Sequence, residues 1–255
     1  MKDVIVLIPV YQDDLSKDEI YSFNRCLDIL LPYDIGIVAP YSLNLPQIIN
    51  GRMLPIYRFH DSFFEGIYGY NRLMLSREFY LRYIDYQYIL IYQLDAIVFL
   101  NELMNFVMMD YDYIGAPWLH GMSFSTKFSG TILGRFVASF YNRCHHLIYK
   151  DLLYVGNGGL SLRKVAPFLD ILNRFHKMSS SYCGNEDAFF SWIGMNFPQL
   201  FKVAPLEIAL QFSFETYPRE CYEMNGRRIP FGCHAWKKYD PDFIDELIAR
   251  SEWRK

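Results

Sequence analysis

A single carboxylate, Asp95, interrupts the most apolar stretch of the chain, which runs from Tyr88 to Phe99. The stretch is rich in β-branched and aromatic residues and predicts a strand that is buried on both faces. A carboxylate in such surroundings needs a charged partner, a metal ion or a water-filled cleft. Because ligands of open α/β sheets bind beyond the carboxyl ends of the strands, Asp95 is a candidate ligand-binding residue. The alternative is a strand-end aspartate that caps the next helix or begins a turn.

A glycine-rich turn lies further along the chain, where Asn157 stands between Gly156 and the pair Gly158 and Gly159. Glycines in this arrangement indicate that the backbone approaches another group closely. Their spacing matches neither a dinucleotide-binding loop nor a phosphate-binding loop, so we exclude both.

Three more residues could take part in chemistry. Glu186 and Asp187 open a predicted helix, and His234 lies between Gly-Cys and Ala-Trp near the end of the sequence. A carboxylate can act as a general base, and an imidazole can hold a metal ion. Acidic residues in the first turn of a helix more often stabilise the helix dipole, and a histidine in such a context is more often structural. The residues alone leave both interpretations open.

The elements that must position these residues begin with a strand from Val4 to Val10. A helix follows, with the capping-box pattern of Ser16 and Glu19, and then strands are predicted at Ile35–Ala39 and Met53–Phe59. Strands that alternate with helices through short connections predict a doubly wound α/β sheet, which is Rossmann-like in its topology.

The middle of the chain has weaker patterns. A helical pattern covers Asn71 to Tyr83, and Arg72, nearest the predicted cleft, is a candidate phosphate contact, although most such arginines belong to solvated helix faces. A short strand is predicted from Tyr113 to Ala116. The stretch His120–Gly130 predicts a mobile loop that becomes ordered when a ligand binds. Thr131–Lys150 predicts an amphipathic helical insertion.

The composition excludes several classes of protein. The aromatic fraction of 18% suggests a cleft or surface that stacks on rings or sugar faces. The net charge of −3 gives no electrostatic case for nucleic acid. Five cysteines without a CxxC pair favour a reduced, cytoplasmic protein. The longest apolar run is well short of the roughly 20 residues of a membrane span, so we expect at most peripheral contact with a membrane.

The ordered set of motifs resembles the GT-A glycosyltransferases, particularly a sparsely characterised bacterial branch. The matching segments are Tyr92–Ala96, Tyr113–Trp118, Gly156–Gly159, Asn185–Asp187 and Phe231–Trp236. The resemblance implies a single GT-A domain over residues 1–255, with a mixed sheet flanked by helices. Residues 1–118 would form a nucleotide-binding half, and residues 119–255 an acceptor and catalytic half with the insertion at 131–150.

The resemblance also implies that the candidate residues bind a nucleotide-sugar donor. A UDP-sugar is the expected donor. Asp95 matches the second aspartate of the family's Asp-x-Asp motif, which holds a divalent ion on the donor diphosphate, whereas Gln93 replaces the first. His234 resembles the late histidine that completes the metal site, and such a ligand set suits Mn²⁺ or Mg²⁺. The other residues implied for the donor site are Pro9, Val10 and Tyr11 near the base, and Asn157, Gly158 and Gly159 under the sugar.

The acceptor side follows from the same resemblance. Asp187 would be the catalytic base and Glu186 its acceptor-orienting partner, with the two roles exchangeable, and Trp118 would stack on an acceptor sugar. This arrangement implies a single displacement with inversion at the anomeric carbon. The acceptor would be a glycan or lipid-linked hydroxyl in bacterial surface polysaccharide synthesis, at the cytoplasmic face of the inner membrane. If it is lipid-linked, the insertion at 131–150 is the expected membrane contact.

Two other functions remain open. A metal-dependent phosphohydrolase needs several carboxylates or histidines around one or two ions, and here only Asp95 and His234 could converge. A non-catalytic protein that binds a nucleotide-sugar or carbohydrate on the same fold stays compatible with the uncharged Gln93. Donor turnover separates this second alternative from a transferase.

Overall fold

A six-stranded mixed sheet forms the centre of the protein. The computed structural model describes residues 2–45, 48–49, 52–123 and 152–253. The first four strands in the sheet are parallel to one another, and the last two pair antiparallel. In spatial order the strands are β5 (Ile56–Phe59), β2 (Asp34–Pro40), β1 (Lys2–Pro9), β6 (Tyr86–Tyr92), β9 (Leu152–Lys164) and β8 (Tyr113–Ser123).

Strand β6 divides the core into two layers. Its residues Tyr88, Leu90 and Tyr92 face one apolar cluster, whereas Ile89 and Ile91 face another. This alternation is the period-two pattern of a strand, and all five side chains are buried, as the continuous apolar run predicted.

Helices cover both faces of the sheet. Helix α1 (Lys17–Ile29) packs on the face of Tyr88 and Leu90. Its predicted capping box is present, because Glu19 N donates to Ser16 Oγ over 3.2 Å and Ser16 N donates to Glu19 Oε2 over 2.7 Å. The opposite face carries α2 (Gly66–Met74), α3 (Arg77–Leu81), α5 (Val165–Arg174), α6 (His176–Ser181) and α7 (Glu186–Asn196).

A small second sheet lies beside the carboxyl end of β6. It consists of β10 (Ser213–Phe214), β11 (Gly232–Cys233) and β7 (Ile97–Val98), in that order. This sheet is packed against α10 (Pro241–Glu252) through a third apolar cluster. The remaining described elements are β3 (Ile48–Ile49), β4 (Arg52–Met53), a 3₁₀ turn (Asp61–Phe64), α4 (Leu103–Met108), α8 (Leu206–Phe212) and α9 (Pro218–Met224).

Several predicted bounds were wrong. The single helix predicted over Asn71–Tyr83 is two helices, because Ser76 breaks the pattern and its Oγ accepts from Phe79 N to cap α3. The strand predicted to end at Ala116 continues to Ser123, and it therefore includes the start of the loop predicted at His120–Gly130. The rest of that loop and the predicted insertion at 131–150 lie outside the described residues. Among the described helices, none has the length and hydropathy needed to cross a bilayer.

Candidate active site

A cavity of about 610 Å³ opens at the carboxyl ends of β1 and β6. The sheet explains the position of the cavity, since β1 and β6 are parallel and end at the same edge. Just beyond β6, Gln93 N donates to Gly159 O over 2.9 Å, which joins this edge to the glycine turn. Most of the residues predicted from the sequence line this cavity. They are Pro9, Val10, Tyr11, Gln93, Asp95, Asn157, Gly158, Gly159, Glu186, Asp187 and His234.

Asp95, His234 and Glu215 form a chain of polar contacts on one wall. Asp95 Oδ1 lies 3.2 Å from His234 Nε2, and Glu215 Oε1 lies 3.2 Å from His234 Nδ1. The small sheet brings the three together, because His234 follows β11, Glu215 follows β10 and Asp95 precedes β7. The backbone reinforces the contact, with Trp236 N donating to Asp95 O over 3.2 Å.

The two carboxylates control the charge of the imidazole. Burial by itself lowers the pKa of His234, but the facing carboxylates of Asp95 and Glu215 outweigh burial and raise that pKa to about 10. The Asp95 side chain is 58% exposed at the cavity, so it is only partly desolvated. This desolvation raises the pKa of its carboxyl, and the contact with His234 outweighs it and lowers that pKa below its usual value. The imidazole is therefore a cation between two carboxylates at neutral pH. A metal ion at Nε2 has to displace that proton.

The geometry fits a divalent cation held by two protein ligands. Neighbouring ligands of an octahedral ion at about 2.1 Å lie about 3 Å apart, close to the separation of Asp95 Oδ1 and His234 Nε2. His234 Nε2 is buried and, apart from the ion-pair contact with Asp95 Oδ1, has no hydrogen-bond partner in the described structure. Glu215 lies at Nδ1, where a carboxylate orients a ligating histidine. No group of three or more His, Cys, Asp or Glu residues in the described ranges could hold an ion, so the other positions would fall to ligand and water oxygens.

The glycine turn forms the floor between the two walls of the cavity. A Cβ on Gly158 would lie 2.5 Å from Glu186 Oε1, and one on Gly159 would overlap His234 Nε2. Asn157 fixes the turn, because its Oδ1 accepts from Gly159 N over 3.1 Å and its Nδ2 donates to Glu215 Oε2 over 2.7 Å. The glycines are thus required by the close approach of the side chains above them.

Replacing Gly159 with alanine should weaken the site and the fold together. The new methyl group collides with the His234 ring, and overpacking of this kind costs about 1–3 kcal/mol of unfolding free energy. The motif resemblance implies that the site binds a nucleotide through Mn²⁺, and displacement of the ring should then reduce that binding by about 10–100-fold. Thermal denaturation and calorimetric titration measure the two effects.

Gly226→Ala is the matched control for this substitution. Gly226 has a φ of +65°, so alanine there is strained, but the atom nearest to the added methyl group would lie 4.0 Å away and Gly226 is not a cavity residue. The control should lose stability without losing nucleotide binding. Unchanged binding in Gly159→Ala would show that His234 does not need its present position.

The acidic pair lies at the start of α7 on the other wall. Glu186 N donates to Asn71 Oδ1 over 3.0 Å, which satisfies a free amide at the helix N-terminus. Its carboxylate is buried and bonds Arg163 Nη2 over 2.6 Å. Burial, and next the charge of Glu186, raise the pKa of Asp187 to about 8. The pair thus consists of an ion-paired carboxylate and a neighbour with enhanced basicity.

Two predicted residues do not line the cavity. Arg72 is exposed, and its guanidinium lies 6.0 Å from the ring of Tyr68. Its neighbour Asn71 faces the cavity instead, because one residue along a helix rotates a side chain by about 100°. Arg72 lies outside the cavity lining, and the phosphate contact predicted for it stays a prediction. Trp118 is half-buried and packs over Gly156 next to Ser191. Ser191 lies one helical turn beyond Asp187.

Several polar residues were missed as site residues by the sequence reasoning. Glu215 follows β10, a strand of only two residues, so the sequence around it carries almost no pattern. Tyr70 had no signal, yet its hydroxyl is buried beside the cavity without a hydrogen-bond partner in the described structure. The missed residues are Arg163, which bonds Glu186, and the cavity-lining Gln12, Glu19, Tyr70, Asn71, Asn185, Glu215 and Lys238.

The architecture is shared with solved glycosyltransferases. Mouse xyloside xylosyltransferase 1 in its apo form superposes with a TM-score of 0.50 at 13% identity, over 91% of this chain and 97% of that one. The bifunctional glycosyltransferase WbbM superposes with a TM-score of 0.52 at 11% identity, over 98% of this chain and 50% of that one. The protein therefore has the GT-A glycosyltransferase fold, and the fold class predicted from the sequence is confirmed.

The sequence comparison defines the family. Residues 53–234 match the family described as "Protein of unknown function (DUF5672)", and the chain belongs to that family. No curated protein sequence matches the chain significantly. The site of this protein must therefore be interpreted from its own residues.

Proposed function

We propose that this protein is an inverting glycosyltransferase, which moves a sugar from a nucleotide-sugar donor to a hydroxyl group of a glycan or glycolipid acceptor. One observation carries the proposal. A single cavity holds the Asp95–His234 pair on one wall, Asp187 on the other and the Gly158–Gly159 turn between them. A transferase needs these three parts, namely a holder for the diphosphate, a base and a floor for the sugar.

The donor lies along the carboxyl edge of the sheet in this proposal. Pro9, Val10 and Tyr11 border the nucleotide base. Asp95 and His234 hold a Mn²⁺ or Mg²⁺ ion, which when bound offsets the negative charge that develops on the leaving diphosphate. Lys238 also lines the cavity, and its ammonium group adds positive charge at the same wall.

The donor sugar rests on the turn formed by Asn157, Gly158 and Gly159, where larger side chains would clash. The acceptor hydroxyl approaches from the wall of Asp187. Its oxygen forms the new bond to the anomeric carbon while the bond from that carbon to the phosphate oxygen breaks, and its proton passes to the Asp187 carboxylate. Attack from the face opposite the leaving group inverts the configuration.

The acceptor site extends from the acidic pair towards β8. Glu186 orients the acceptor by accepting a hydrogen bond from it. Trp118 packs beside Ser191, which lies one helical turn from Asp187, and in this proposal it stacks on an acceptor sugar. Residues 1–118 then serve as the nucleotide-binding half and residues 119–255 as the acceptor half of one domain. Bacterial surface polysaccharide synthesis at the cytoplasmic membrane face is the setting that the motif resemblance supports.

Calorimetric titration with UDP, GDP, CMP and dTDP, each with Mn²⁺ and with EDTA, tests the proposal. We expect one nucleotide to bind tightly and only with the metal ion, and the matching nucleotide-sugar to be turned over. If no nucleotide binds, the protein is not a transferase of this class. If the nucleotide-sugar binds but is never consumed with any acceptor or with water, the protein is a binding protein on the same fold.

A further inference from the structure

Arg163 is a fully buried cation directly beneath the cavity floor. It lies on β9, and its side chain has no solvent-exposed surface. Guanidinium groups are strongly hydrated in the unfolded chain, so burying one costs several kcal/mol unless partners satisfy it. The identity of those partners therefore shows what the arginine is positioned to do.

All three nitrogens of the guanidinium have partners. Arg163 Nη2 donates to Glu186 Oε1 over 2.6 Å and approaches Gly158 O at 3.4 Å. Nε donates to Ser161 Oγ over 2.9 Å, and Nη1 donates to Tyr80 OH over 3.1 Å. One side chain thus contacts both the floor under the donor sugar and the carboxylate next to the base.

Stability alone does not account for this arrangement. A buried ion pair is often no more stabilising than apolar residues of the same volume. The surroundings are partly apolar, because the guanidinium lies beside the rings of Tyr113 and Phe168, 5.6 Å from each centroid, and both rings belong to an apolar cluster. A charged arginine here therefore points to a requirement for its charge.

We infer that Arg163 is a positioning residue of the active site, which pairs with the Glu186 carboxylate beside Asp187 and fixes the Glu186 carboxylate against the Gly158 turn. The inference rests on the proposed transferase function for its role in catalysis, but its electrostatic content can be measured without turnover. The Glu186 carboxylate, paired with Arg163, accepts a hydrogen bond from a substrate hydroxyl. Burial and the neighbouring Glu186 charge raise the pKa of Asp187, so Asp187 is the member of the pair that takes up a proton.

The charge balance of the pair sets the direction of the expected effects. The Glu186 charge raises the pKa of Asp187, and the Arg163 charge lowers it. Removing the arginine should move the pKa of Asp187 upward, because the charge that lowers it is lost. Removing the charge of Glu186 should move the Asp187 pKa downward. The other groups that act on this pair are Tyr70, Tyr80, Tyr113, Tyr182 and Glu215.

The test compares Arg163→Met, Arg163→Lys and Glu186→Gln with the wild type. The titration of ¹³C-labelled carboxyl groups is followed by NMR, and the pH dependence of donor turnover is followed in parallel. We expect the acidic limb of the pH–rate profile to move to higher pH in Arg163→Met and to lower pH in Glu186→Gln. In Arg163→Lys it should return towards the wild-type position. Shifts in opposite directions are not expected from a structural defect.

Arg25→Met is the matched control. Arg25 is also buried and forms an ion pair with Glu252 over 3.0 Å, but it is not a cavity residue. Its loss should therefore lower the stability of the protein without moving the acidic limb of the pH–rate profile. If Arg163→Met folds and its carboxyl titration equals that of the wild type, the inference is overturned. If it does not fold, Glu186→Gln decides, because an already neutral Glu186 would leave the Asp187 titration unmoved. If the carboxyl titrations shift as expected but the wild type never turns over a donor, only the proposed transferase function is rejected.

Discussion

Replacing Asp187 with asparagine should remove sugar transfer to the acceptor while donor binding stays at the wild-type level. The amide keeps the shape of the side chain but cannot take the proton of the attacking hydroxyl. Positioned general bases contribute about 10²–10⁴-fold to a rate, so we expect kcat to fall by that factor. The wild-type rate should rise with pH up to about 8, because the raised pKa of Asp187 keeps the base protonated below that value.

Single-turnover measurement with a labelled donor separates chemistry from binding, and calorimetry gives the donor affinity of the same variant. Asp112→Asn is a suitable control, since Asp112 is also a buried carboxyl with a raised pKa but lies outside the cavity. If Asp187→Asn keeps its rate while Glu186→Gln loses it, the two acids have exchanged roles. If both variants keep the wild-type rate, neither is the base.

The features that could be predicted from the sequence are those set by local composition. The apolar run around Asp95 indicates a central strand and its polar end, because a run rich in β-branched and aromatic residues is typical of a strand that is buried on both faces. The glycine turn signals close packing whatever packs against it. These local signals, taken with the motif order, located most of the cavity, as the lining residues show.

The features that could not be predicted depend on contacts between distant parts of the chain. Glu215 reaches His234 only because β10 and β11 pair beside β7, and three two-residue strands leave almost no sequence pattern. Arg163 lies in an apolar strand and pairs with a carboxylate 23 positions away. Helix phase also could not be predicted to within one residue, since the cavity-lining position is Asn71 and not its neighbour Arg72.

Removing either residue of the Asp95–His234 pair should abolish metal-dependent nucleotide binding. We expect Asp95→Ala and His234→Ala each to weaken Mn²⁺-dependent binding of the preferred nucleoside diphosphate by more than about 100-fold, because even the residues that only orient ligands account for about 10–100-fold. Chelation of the metal in the wild type should have an effect of the same size. Calorimetric titration with Mn²⁺ and with EDTA measures all three.

The nucleotide affinity of the double variant, compared with that of the single variants, distinguishes a shared metal site from two independent contacts. If one ion joins both side chains, the double variant Asp95→Ala/His234→Ala should be no weaker than either single variant, because each alone already removes the site. His60→Ala is the control, since the His60 side chain bonds Ser62 and lies outside the cavity. Additive losses with undiminished binding in EDTA would mean that the diphosphate is held without a metal ion. Lys238 and the protonated His234 ring would then supply the positive charge.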